Sequence, residues 1–338
     1  MRRLLALVLF LGACPSSVDD DDTPTPAPTP SDDDDATDDD DATDDDDATD
    51  DDDAFPDPCE TYDPPVREGE VDDNDLDEIS GVGVSRVHED WVWVHMDSGA
   101  DTPELTALEM DGDTIGTVVL PFTNFDWEDL AVGACGPSGG SCVWIGDIGD
   151  NEGQRTNTAL IRVEEPKDVP GSDDWRIELP GDRFPFEYPD GPQDAEALVV
   201  GPDGSPAVLT KREDGTTRIY QFDIDAMTPG VATEPTLVAT VRTLPEELGE
   251  TPSGAATAAD LWPDGSRLLL RTYLQARQFD LSSGLESIDF AASREVAVAV
   301  EAQGEAMAYD SAARGIRHVA EGENPPLWFV PCAEEALD

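Results

Sequence analysis

The chain has 338 residues, enough for one large domain or two modest ones, and sets 19 Lys and Arg against 78 Asp and Glu for a formal charge of -59. Such an acidic excess excludes a nucleic-acid binder, because a phosphate backbone is repelled across the whole surface. Residues 15–58 hold 21 Asp and no basic residue, yet residues 59–338 still carry -40 and have enough Val, Leu, Trp and Phe to bury a core.

In chain order, Met1-Arg2-Arg3 and the apolar run Leu4 to Leu11 read as an export signal over residues 1–13, too short to span a membrane as a mature helix. Leu11-Gly12-Ala13-Cys14 resembles the bacterial lipobox, which implies cleavage before Cys14 and lipid on it. Buried lipid methylenes, at about 0.8 kcal/mol each, anchor a soluble body. Pro15 rather than Asp after the cysteine points to the outer membrane, on its periplasmic face or the cell surface. Residues 14–58 continue as a Thr/Pro stretch and then a DDDDAT repeat. Without apolar residues to offset ordering entropy, this reads as a disordered, self-repelling tether.

Four cysteines remain: Cys59, Cys135, Cys142 and Cys332. An even number in an exported chain invites pairing, with three connectivities open. Cys135–Cys142 closes a short GPSGGS loop, and Cys59–Cys332 fastens the two ends of the body, so that pairing is favoured. A cysteine metal cluster is disfavoured, since none of His88, His95 and His318 lies near a cysteine in sequence.

From residue 59 to 338 short β-rich runs alternate with Gly, Pro and Asp turns, which predicts an all-β domain. Asp203-Gly204 and Asp264-Gly265 are hairpin signals. An acidic phrase followed by small or apolar residues recurs five times: DEISGVGV, WEDLAVG, DAEALVVG, ATAADLW and GEAMAYD. The intervals are too irregular for a solenoid but suit propeller blades with variable loops. Each phrase leads into a second strand, most into a third, and the weaker outer strands are TIGTVVLP, a run within Trp175–Tyr188, TLVATVRT and EVAVAVE. The last unit lacks an outer strand, which Val66–Val71 is placed to supply from the N-terminal side. The reading is a five-bladed β-propeller closed by an N-terminal strand. Six blades stay open, because the unit from Glu128 to Asp194 can hide extra strands; a β-sandwich leaves the recurrent phrase unexplained.

The phrases DWEDLAVG, WIGDIGDN, IRVEEP, DAEALVV and GEAMAY resemble a bacterial family of secreted or lipid-anchored propellers and, more loosely, esterase-like phytases and SdiA-regulated propellers. The resemblance covers about Glu70 to Cys332. The looser relatives imply calcium-assisted cleavage of phosphoesters or esters. Ala-Ala-Asp in the fourth phrase departs from the pattern of Glu in the others.

In a propeller the inner strands converge on a central channel, so Glu78, Glu128, Glu196, Asp260 and Glu305 are expected as a ring of carboxylates. Close packing would raise their pKa values unless a cation intervened, and oxygen ligands suit Ca2+. The second strands bring His95, Asp97, Asp147, Asp150, Lys211 and Arg271 to similar depths, and Lys211 is one of two lysines in the chain. The expected function is a Ca2+-assisted binding or scaffold module with an acidic channel. Its partners would be a protein, a glycan or a small anionic ligand, and the molecule is expected to be monomeric. The alternative is a Ca2+-dependent hydrolase of phosphoesters, esters or lactones using Glu128, Glu196, Lys211 and Arg271. A structural reading, in which the acids clamp blades through Lys211 and Arg271, competes with both.

Overall fold

The computed structural model describes residues 55–97, 103–171, 174–281 and 283–333. The export signal, Cys14 and the tether up to residue 54 lie outside the described residues.

Twenty-one strands form five sheets around an axis. After β1 (Val66–Glu70), the first blade holds β2 (Ile79–Val84), β3 (Trp91–Met96), β4 (Glu104–Glu109) and β5 (Thr114–Val119). The second blade holds β6 (Trp127–Ala134), β7 (Ser141–Asp147) and β8 (Ala159–Glu164). β9 (Trp175–Glu178) crosses back to pair parallel with β5, and β10 (Asp182–Pro185) then completes the second blade against β8. The third blade is β11 (Ala195–Val200), β12 (Pro206–Thr210), β13 (Thr216–Gln221) and β14 (Thr236–Arg242). The fourth is β15 (Ala256–Leu261), β16 (Arg267–Thr272), β17 (Ala276–Asp280) and β18 (Arg294–Val296). The fifth is β19 (Ala306–Asp310), β20 (Gly315–Val319) and β21 (Pro326–Pro331), with β1 as its outer strand. The blade count is therefore five, and the extra length between Glu128 and Asp194 holds the stray strand β9 rather than a sixth blade.

The Trp175–Tyr188 stretch thus supplies two strands to two blades, not one. The indole of Trp175 lies where a Cβ at Gly116 would come within 2.1 Å, so only glycine lets it cover the first blade beside Trp91 and Trp93. The EVAVAVE run is shorter than expected, pairing only at its start in β18. Beyond Val296 the chain leaves the sheet and brings Glu301 to Arg271 (2.7 Å) and His318 (3.1 Å).

Gly204 and Gly265 take positive φ in the hairpins β11–β12 and β15–β16, as the Asp-Gly pairs require. Five apolar clusters fill the five spaces between neighbouring blades. Trp93, Trp127, Trp144 and Trp262 are fully buried there, because splayed sheet faces need bulky side chains to meet.

Cys59–Cys332 and Cys135–Cys142 are both disulfides, with Cα separations of 5.6 and 5.0 Å. The first fastens the closing blade, where Tyr62 also bridges to Cys332. Packing on the ring begins four residues before the expected boundary at 59. Phe55 lies against Arg86, and the Trp262 indole donates to the Pro56 carbonyl (3.0 Å).

Candidate metal and ligand site at the channel mouth

The inner strands β2, β6, β11, β15 and β19 line the channel side by side, so their first residues share one mouth and their last residues the other. Near the first residues the strands carry bulges, with register shifts across Ser80, Glu128–Asp129, Glu196 and Thr257. A bulge re-aims the inserted side chain, here toward the start mouth. With Glu305 immediately before β19, the equivalent positions are Ser80, Glu128, Glu196, Thr257 and Glu305. Three are acids and two are hydroxyls.

This corrects two members of the expected ring. Glu78 is exposed, two residues ahead of the bulge, and contributes charge near Glu321 rather than a ring position. Asp260 lies three residues past Thr257, toward the other end of β15. It accepts from the amides of Leu261 (2.8 Å) and Tyr309 (2.8 Å), and burial raises its pKa to about 6. Thr257 instead donates to the Gly304 carbonyl (3.0 Å).

Glu128 is the centre of the start mouth. Its oxygens and those of Asp97 and Asp126 include one from each residue that all lie within 4.8 Å of one another. Glu128 is only 4 % exposed, and the Ser80 hydroxyl approaches it at 3.4 Å. Burial, with the charges of Asp97 and Asp126, pushes its pKa well up, and Lys211 offsets this in part. Gly149 makes the approach feasible, since a Cβ there would stand 2.0 Å from Glu128 Oε1 and 2.6 Å from Asp126 Oδ2. The second glycine of WIGDIGDN is thus explained by the carboxylates it lets in.

Around this centre, Lys211 Nζ pairs with Glu196 Oε1 and lies 5.8 Å from the Tyr273 ring. Glu196 Oε2 is buried with no hydrogen-bond partner among the described residues. The Tyr273 hydroxyl donates to Glu305 (2.8 Å). Glu321 is raised by burial, by its bond to Glu305 and by the charges of Asp97 and Glu78. Arg271 is buried behind the mouth and paired with Glu301 (2.7 Å). Against the burial that would raise it, His318 and Arg271 hold the Glu301 carboxyl below its usual range.

The other candidates are spent on structure. His95 is fully buried, with Nδ1 3.0 Å from the Met96 carbonyl and its ring edge-on to Trp127; desolvation takes its pKa down to about 4. Asp147 is buried and paired with Arg155 (2.6 Å) and Arg183 (3.5 Å). Asp150 accepts from the Gln154 and Arg155 amides at 2.8 and 2.9 Å, closing a turn as Asp side chains do.

Sequence reasoning missed Asp126 as a member of the site, and Asp129 as the floor beneath it. Asp129, fully buried, accepts from the amides of Leu130 (2.9 Å), Leu198 (2.9 Å) and Ala259 (3.1 Å). One carboxyl therefore ties β6, β11 and β15 together. Its adjacency to Glu128 was visible; which of the two faced the cavity depended on the bulge.

Fold and site together define a disulfide-closed, five-bladed β-propeller with a carboxylate-lined channel mouth. No family model and no curated protein matches the chain. Among solved structures, it is similar to the PQQ-bound aldose sugar dehydrogenase of Streptomyces coelicolor, at 9% identity and a TM-score of 0.44, over 82% of this chain and 99% of that one. The chemistry of the mouth rests on this chain's own residues.

Proposed function

We propose that the chain is a membrane-tethered extracytoplasmic binding module whose start mouth holds Ca2+ and, through it, an oxygen-bearing ligand. The observation that carries this reading is the convergence of Asp97 from the first blade with Asp126 and Glu128 from the second within 4.8 Å. Calcium binds oxygens at about 2.4 Å, so ligands on opposite sides of one ion are about 4.8 Å apart. The ionised form of Glu128 is disfavoured by burial and by its acidic neighbours, and a divalent cation relieves both penalties. The unpartnered Glu196 oxygen and the Lys211 ammonium beside it supply polar contacts for a ligand reaching across the mouth.

His95 lies edge-on to Trp127 and Lys211 is paired with Glu196, so the groups left for proton transfer at the mouth are carboxyls; binding is the first reading and hydrolysis through Glu128 the second. Lipid on Cys14, the acidic tether and an outer-membrane address complete the proposal. Two disulfides support an oxidising, extracytoplasmic setting.

The test is calorimetric titration of Ca2+ into chelator-treated protein beside the Glu128→Gln and Asp97→Asn variants. The Asp tether contributes the same weak background to all three. A saturable stoichiometric component lost in both variants is expected. Identical isotherms for all three would refute the metal site.

A further inference from the structure

The end mouth, where the inner strands finish, has a different chemistry. A cavity of about 310 Å3 opens there, and Val84, Val132, Leu261, Pro263 and the ring of Phe55 give it apolar walls. Arg86 is its cation, and Asp260 and Glu89 line it as well. The Arg86 guanidinium lies 5.7 Å from the Phe55 ring and makes no ion pair or hydrogen bond with any described residue. Its surroundings explain why. Asp260 has spent its oxygens on the Leu261 and Tyr309 amides, and Glu165 is engaged by Ser85 (2.6 Å), Trp93 (2.8 Å) and the Arg86 amide (3.2 Å). Arg86 is an exposed residue whose guanidinium borders the cavity; desolvation lowers its pKa, and the nearby charges of Asp260 and Glu165 oppose that shift.

Arg86 makes no close ion pair on a body whose acids greatly outnumber its cations, where most described arginines carry one. Its planar fork suits a carboxylate or sulfonate, and an aromatic neighbour on one side leaves the other side for a ligand. Pockets of about 300 Å3 or more with apolar walls and a few polar groups are typical of small-ligand sites. We infer that the end mouth is a second binding site, for a small anion with a flat apolar body: the acid group on Arg86, the body between Phe55 and the Val84–Val132–Leu261 wall. The site shares no residue with the acidic cluster of the start mouth.

The test uses the full chain, with naphthalene-2-sulfonate as the anionic probe and neutral naphthalene-2-sulfonamide as its control, followed by calorimetry. The anion is expected to bind saturably at one site, and the amide at least tenfold more weakly. Arg86→Ala should weaken the anion at least tenfold. Ala312→Trp, at an exposed position on the rim, should block it by filling the cavity from solvent. Glu128→Gln and chelation of calcium should leave it unchanged, so failure here is distinct from failure of the metal site. No saturable binding, equal binding of anion and amide, or binding that survives either Arg86→Ala or Ala312→Trp overturns the inference. The anion-amide comparison needs no variant to fold.

Discussion

The two mouths of one channel are built from the same five strands and carry opposite chemistry. At the start mouth the bulges turn Glu128 and Glu196 inward, Glu305 joins them, and Asp97 and Asp126 add to the charge. At the end mouth Val84, Val132 and Leu261 give apolar walls, and beside Asp260 and Glu89 stands a guanidinium with no close ion pair. Strand repetition therefore sets where side chains converge, and local register sets what converges. A propeller of this size can hold two sites with unrelated ligands, provided the channel between them is sealed.

Asp129, which ties three of the five strands, is the sharpest point at which to break this contrast. Asp129→Ala removes the acceptor for three buried amides on three inner strands and leaves a void where they meet. Each buried donor left unsatisfied costs about 1–3 kcal/mol, so a loss of about 4 kcal/mol is expected, read as a lower urea midpoint. In whatever fraction stays folded, both mouths should lose affinity together. A loss below about 1 kcal/mol, or damage to one mouth only, would show that the floor does not couple them.

The sequence revealed the blades through their recurring phrases but not the site, and the reason is register. Aligning the phrases by their acidic letter placed Glu78 and Asp260 in a ring, whereas the bulges align Ser80 and Thr257 with Glu128. Ser, Thr and Glu share only a polar oxygen at that position, which no letter pattern discloses. Closure by Val66–Glu70 and by Cys59–Cys332 was legible because a missing strand and an end-to-end cysteine pair have to be satisfied globally. Asp97 and Asp126 sit at loop ends of different blades, 29 positions apart in sequence, so their convergence is a property of the packed ring alone. Nothing in the sequence singled out Arg86. Its meaning comes from the commitments of Asp260 and Glu165 around it.

A second comparison separates the mouths by pH. A buried acid whose folded pKa is raised binds more protons folded than unfolded, so stability falls as pH climbs from the unfolded to the folded value. For Asp260 that window runs from about pH 4 to about pH 6, and it is worth up to about 3 kcal/mol. Glu128, Asp147 and Asp194 are raised as well and act in the same direction. Glu301 acts oppositely: its depressed pKa contributes stability above the unfolded value, lost as pH falls through the folded one. The urea midpoint should therefore fall from pH 5 to pH 7 in the absence of calcium. Calcium at pH 7 should restore the share due to Glu128 but not that due to Asp260, and Asp260→Asn should make the remaining slope shallower without abolishing it, since Asp129, Asp147, Asp194 and Glu321 are raised as well. An unchanged slope in Asp260→Asn would remove the end-mouth acid from the account.

The smallest effect on folding should come from Gly149→Ala, and it is the most selective. The added methyl would stand 2.0 Å from Glu128 Oε1 and 2.6 Å from Asp126 Oδ2, so both carboxylates must move. Gly149 has no positive φ to preserve, so the backbone tolerates alanine and the strain falls on the ends of the Glu128 and Asp126 side chains. A stability loss of about 1 kcal/mol is expected, at the low end for overpacking. Calcium affinity should fall at least tenfold, because the three oxygens no longer share one ion. Naphthalene-2-sulfonate binding at the other mouth should not change. If calcium affinity survives a methyl group driven between Glu128 and Asp126, the ion is held elsewhere, and the narrow approach that Gly149 permits serves packing rather than binding.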